Sequence, residues 1–226
     1  MVTSATFADD MENELRDRAL SILDCGFLGA LAAGELTVEQ ISRWAVSYYA
    51  CTKNGHLAIA NFLAQSPEEP SLRSELAENL YEEETGLLSG VGRCHMDVFL
   101  DFLRALGVSS NEASTAPGLA TTAYAHPIVA DEYYAQISAF GLLGEGPNAL
   151  FCDSVLDAFR AHYSFERNQV KWFSLHAKLD KDHGATLSRY VEAAEAEPGG
   201  LERTRELIFQ LAPHYQSIWD GRGTWR

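Results

Sequence analysis

The stretch Trp172-Phe-Ser-Leu-His176-Ala-Lys-Leu-Asp180-Lys-Asp-His183 decides the fold of this chain. It lies inside a long helical pattern that runs from Phe165 to about Glu195. At about 100° per residue, His176, Asp180 and His183 fall near 0°, 40° and −20°, so one narrow helix face presents two imidazoles and a carboxylate. Imidazole with carboxylate suits iron, manganese or zinc, and a helix fixes the three donors at a spacing that a bridged pair of ions can use. The competing reading is a solvated face whose histidines merely pair with nearby acids. The rest of the chain decides between them.

Outward from this segment the periodicity stays helical, and no run of apolar/polar alternation bounded by hairpin turns occurs. Phe7 to Leu31 reads as an amphipathic helix and a short second piece, broken around Cys25-Gly26 and closed by Gly34. Thr37 with Gln40 forms a capping box that opens a helix running through Trp44, Tyr48 and Tyr49 towards Ala64, and Pro67 and Pro70 end it. A helix from Ser71 to Glu84 follows, then a glycine-broken loop, Thr85 to Gly92, and a helix from Arg93 to Leu106. Gly107 to Ala116 reads as a polar loop. Pro127 to Tyr163 reads as helical with a kink at Pro147. The break at Pro198-Gly199-Gly200 precedes a final helix to about Trp219. The expected fold class is all-α, a bundle of seven or eight helices in a single domain, 1–226, with a ligand site enclosed by facing helices.

Composition narrows the function classes. The chain has 226 residues, 46% of them hydrophobic, enough to bury a substantial core. Its 17 basic and 32 acidic residues give a net charge of −15, which repels nucleic acid and anionic membrane surfaces. No apolar run approaches the roughly 18 residues of a membrane span. Met1 to Asp10 lacks the basic flank and apolar stretch of a signal peptide, so a cytoplasmic protein is expected. Cys25, Cys51, Cys94 and Cys152 are widely spaced and read as free thiols, neither zinc knuckle nor disulfide framework.

Two further places offer metal donors on helices that can face His176. One is Asn79-Leu-Tyr-Glu82-Glu83-Glu84 with His95 beyond the glycine loop; three consecutive acids span about 200° of helix, so only one or two face any one site. The other is Glu145, next to Pro147 in a mostly apolar run, where an unpartnered carboxylate is costly and a metal or basic partner is expected. His56 is a candidate further ligand. His126, His162 and His214 are assigned no chemical task, and Trp44, Tyr48 and Tyr49 read as core. Lys53 and Arg93 are the candidate partners for a substrate carboxylate, while Lys178 and Lys181 point off the ligand face. Asn79 and Asp182 are candidate partners that orient the ligands.

The order Asn-x-x-Glu-Glu, then His, then Glu before a proline, then HxxxDxxH resembles the haem-oxygenase-like diiron oxidases and oxygenases, relatives of the TenA and PqqC proteins. The resemblance covers roughly Ile22 to Trp219. The gap between Glu83 and His95 is long for that family, which leaves Glu82 or Glu84 as substitutes, and glycines flank Glu145 where larger residues are usual. The resemblance implies two ferrous ions held by Glu83, His95, Glu145, His176, Asp180 and His183, O2 as co-substrate, a small-molecule substrate and a homodimer. With no flavin or nicotinamide fingerprint in the sequence, an external reductant must supply electrons. The expected reaction is N-oxygenation of a small amine-containing metabolite. Oxidative C–C cleavage or desaturation of an amino or fatty acid is the alternative, and a metal-free TenA- or PqqC-like enzyme is the second.

Overall fold

A computed structural model describes residues 3–116 and 128–226, apart from the side chains of residues 181–187. Its helices, in chain order, are α1 (Ser4–Asp17), α2 (Gly26–Ala32), α3 (Val38–Thr52), α4 (His56–Gln65), α5 (Pro70–Thr85), α6 (His95–Ala105), α7 (Ser110–Thr115), α8 (Tyr133–Leu143), α9 (Glu145–His162), α10 (Lys171–Ala196) and α11 (Gly200–Trp219). Short 3-10 turns cover Ile22–Asp24, Ala130–Glu132 and Gly221–Gly223. No strand occurs among the described residues, as expected of an all-α chain. None of the described helices is long and apolar enough to cross a membrane.

The helices outnumber the seven or eight expected, because several long patterns are divided. Lys53 to Gly55 separate α3 from α4, and the polar stretch after Gly107 contains α7. A turn over residues 167–170 delays α10 to Lys171. The expected kink at Pro147 is instead a break at Gly144, whose φ of −106° and ψ of −81° separate α8 from α9. Pro147 then falls in the first turn of α9, where backbone amides have no intrahelical acceptor and the missing N–H costs nothing. His126 and Pro127 lie outside the described residues.

The capping box of α3 is present in full. The Thr37 hydroxyl accepts from the Gln40 amide at 3.2 Å, and the Gln40 side chain accepts from the Thr37 amide at 2.9 Å. Thr37→Ala is expected to cost about 1 kcal/mol, read as a fall in thermal midpoint of about 2–4 °C for a chain of this size. At the other end of the α5 segment, Gly86 adopts φ 58° as the left-handed cap, and a Cβ there would lie 2.5 Å from the Arg93 carbonyl oxygen. Only glycine closes that turn, and the turn folds the following loop back over α5.

α10 is the central helix, packed against α9, α8, α6, α1 and α11. Around it Trp44, Phe99, Phe102, Phe151 and Phe173 are fully buried. Phe27 stacks on Trp44 at 4.0 Å, and the Trp44 indole donates to the Trp219 carbonyl at 2.8 Å. This aromatic core fixes α3, α6, α9 and α10 relative to one another. A second apolar cluster, including Ile59, Phe62, Ile137 and Tyr190, joins α4, α5, α8 and α10.

Candidate metal centre

Glu83 of α5, His95 of α6 and His176 of α10 bring one donor atom each within 4.8 Å of one another. His95, the first residue of α6, is fully buried; its Nδ1 lies 2.9 Å from Glu83 Oε1 and its Nε2 3.0 Å from Glu82 Oε1. His176 Nε2 stands 3.8 Å from the same Glu83 oxygen. The opposite nitrogen of His176, Nδ1, donates to the Trp172 carbonyl at 3.0 Å, one helical turn back, so the neutral ring keeps its Nε2 lone pair towards Glu83. Trp172 stacks on the His176 ring at 4.0 Å and holds its plane.

The three consecutive acids of α5 separate by role, as their helical spread requires. Glu82 is buried; it accepts from the Leu88 amide at 2.7 Å and the Ser89 amide at 3.2 Å as well as facing His95. Burial opposes its charge, but these hydrogen bonds outweigh burial and lower its pKa. Glu84 turns outwards, half exposed, and pairs with His56 at 3.1 Å. Burial likewise opposes a charge on His95, yet the hydrogen bonds and charges of Glu83 and Glu82 prevail and raise its pKa.

Glu145 is the first residue of α9, at the end of the helix dipole that favours an anion, and accepts from Asn79 Nδ2 at 3.1 Å. Asp180 is 6% exposed and accepts from Asn148 Nδ2 at 2.8 Å. Burial pushes its carboxyl well above the usual range, and the charges of Glu145 and Glu83 push the same way against the Asn148 hydrogen bond. Glu83, Glu145, Asp180, His56 and His176 line one chamber of about 110 Å³, with Tyr48, Met96, Trp172 and Trp219 among its other walls. The His183 and Asp182 side chains lie outside the described residues; the backbone of both is within α10.

Lys53 and Arg93 are turned to other tasks. Lys53 donates to the Ser114 carbonyl at 3.0 Å, and Arg93 pairs with Asp101. No Lys or Arg is found among the described residues of the chamber wall. Three carboxylates and the His56 and His176 imidazoles share this partly buried space, and such a set of oxygen and nitrogen donors suits iron, manganese or zinc. The residues present fit a metal.

A family model described as iron-containing redox enzyme matches residues 42–211, from α3 into α11. The chain belongs to the iron-containing redox enzymes. No curated protein matches it. Among solved structures, this iron-containing redox enzyme is similar to a domain of unknown function with a heme oxygenase-like fold from Shewanella denitrificans. That match has a TM-score of 0.71 and 16% identity, over 96% of this chain and 91% of the other. A CADD-like protein of unknown function from Nostoc punctiforme matches with a TM-score of 0.71 and 17% identity, over 99% of each chain. A TenA homologue from P. horikoshii matches with a TM-score of 0.66 and 17% identity, over 97% of this chain and 98% of that one. At such identities the likeness carries the fold, which is heme oxygenase-like.

Sequence reasoning passed over Asn148 and Trp172. Both carried a signal: Asn148 lies three residues after Glu145 and Trp172 four before His176, the spacings at which helical neighbours meet. Asn148 also accepts from the Trp219 indole at 3.1 Å, so one amide ties Asp180 to α11.

Proposed function

We propose that the chain is an O2-dependent non-haem diiron oxygenase that oxidises a small amine-containing metabolite at nitrogen, in natural-product biosynthesis. The observation that carries this reading is the convergence of Glu83, His95 and His176 beside a chamber that Glu83 and His176 line together with Glu145 and Asp180. Together with His183 these residues would hold two ferrous ions, which supply one-electron redox chemistry towards O2. Glu83 stands in reach of both His95 and His176 and would be the carboxylate common to their two ends of the site. Asn79 and Asn148 orient Glu145 and Asp180, and Trp172 holds the plane of His176. Tyr48, Met96, Trp172 and Trp219 wall the chamber with apolar surface and limit water. Electrons come from an external reductant, and a homodimer is part of the same reading.

The choice of an amine over a free acid rests on charge. A carboxylate substrate needs a cation beside it, and Lys53 and Arg93 are occupied elsewhere. Burial pushes the Cys25 thiol up to about 12 and the Cys152 thiol well above its ordinary value, so these two are poorly suited to act as nucleophiles. Incubating the reduced, iron-loaded protein with candidate amines under 18O2 tests the reaction. Label in a hydroxylamine, nitroso or nitro product is expected, whereas an unlabelled alkene, nitrile or shortened chain would refute it.

A further inference from the structure

Beside the metal chamber lies a larger cavity of about 340 Å³. The two share Ile59, Phe140 and Glu145 in their walls. Its lining combines the apolar side chains of Phe62, Ile137 and Phe140 with the acids Glu75, Glu78, Glu82 and Glu145, and has no Lys or Arg among the described lining residues. Glu82 is taken up by His95 and the loop amides. Glu75 pairs with Arg189 through Oε1, while its Oε2 is buried without a hydrogen-bond partner.

Tyr190 supplies an independent observation. It lines this cavity, is 6% exposed, and its hydroxyl makes no hydrogen bond among the described residues. Burial first, and the charge of Glu145 next, raise its pKa, so the phenol stays neutral and offers an oxygen lone pair. The side chain is held inside the protein while its hydroxyl keeps its hydrogen-bonding capacity for a ligand in the cavity. The negative wall repels a carboxylate, and a purely apolar ligand would desolvate the acids without bonding them. An ammonium, with three donors and a positive charge, satisfies both the acids and the phenol.

The position of these groups separates this anchor from the metal. At about 1.5 Å per residue, Glu78 and Glu75 stand roughly 7 and 12 Å along α5 from Glu83, and Tyr190 roughly 10 Å along α10 from His183 and roughly 15 Å from Asp180. We propose that this cavity is an ammonium-anchoring subsite, in which Tyr190, Glu75 and Glu78 hold a protonated amine whose aliphatic chain runs over Phe62, Ile137 and Phe140 towards Glu145. This deepens the proposed function and rests on it for the identity of the far end. A nitrogen anchored as ammonium has no lone pair to oxidise, so the nitrogen that reacts is a second one. The substrate class is an aliphatic diamine.

Calorimetric titration of the full-length protein with 1,6-diaminohexane, 1-hexylamine and hexanoate tests the anchor, with and without anaerobic ferrous loading. Both amines are expected to bind at least tenfold more tightly than hexanoate. Tyr190→Phe and, separately, Glu78→Gln should each weaken amine binding, Tyr190→Phe by about tenfold, the value of a hydrogen bond to a charged group. Iron content should stay unchanged in both variants. In the ferrous protein, paramagnetic relaxation should broaden the methyl protons of 1-hexylamine more than those beside its nitrogen. Equal binding of hexanoate, unchanged amine affinity in both variants, or stronger broadening at the nitrogen end would each overturn the proposal. A chain that takes up no iron yet binds amines with this preference would refute the diiron reading and leave the anchor standing.

Discussion

His176→Ala is expected to lose most of its iron under anaerobic loading conditions in which the wild type takes up about two ions per chain. Partners that merely orient a metal ligand are worth about 10–100-fold in metal affinity, so removal of a ligand should cost more than that. His176 is the sharpest place to test this, because the Trp172 carbonyl fixes its tautomer and the Trp172 ring fixes its plane. The substitution removes a ring without leaving a charge unpaired. Glu83→Ala should behave in the same way, since its carboxylate stands between His95 and His176. Glu84→Ala is the control: it turns outwards to His56 and should leave the iron content as it was. Circular dichroism confirms that each variant is folded. Wild-type iron content in both His176→Ala and Glu83→Ala would end the metal assignment.

The legible part of this molecule was the part set by helical geometry. The Thr37 box appears as read because its two hydrogen bonds are local and depend on residue types three apart. His176 and Asp180 share one buried face of α10 because their spacing allows little else. Where tertiary packing chooses among local options, the sequence was silent. Nothing in Glu82-Glu83-Glu84 says which acid faces His95. That depends on how the turn at Gly86 brings the Leu88 and Ser89 amides down on Glu82, leaving Glu83 to meet His176. The break before Glu145 was misplaced for a related reason. Proline carries the stronger local signal, but in the first turn it is compatible with a helix, and the neighbouring glycine takes the non-helical conformation. Tyr190 had no readable signal, because a lone tyrosine gains meaning only when a cavity opens beside it.

Asp180→Asn is expected to move stability and iron content in opposite directions. In the metal-free chain the Asp180 carboxyl is buried near the like charges of Glu145 and Glu83, and its pKa is raised accordingly. A carboxyl raised in this way contributes stability that is fully present below its unfolded pKa and is lost as pH rises through the folded one, so above the unfolded value it progressively opposes folding. The asparagine keeps the shape and can still accept the Asn148 hydrogen bond through its amide oxygen, while removing the charge. Metal-free Asp180→Asn should therefore be more stable than metal-free wild type at pH 8 by about 1–3 kcal/mol, the range seen when buried charges are replaced by neutral groups. That corresponds to a rise of several degrees in thermal midpoint for a chain of this size. Iron reverses the order. A neutral amide binds ferrous iron more weakly than a carboxylate, so loading should raise the midpoint of the wild type and scarcely that of the variant. Paired thermal melts at pH 8, with and without ferrous iron, read both effects in one experiment. A metal-free variant less stable than wild type would mean that the protein itself already compensates this charge, and the case for a cation at Asp180 would fall with it.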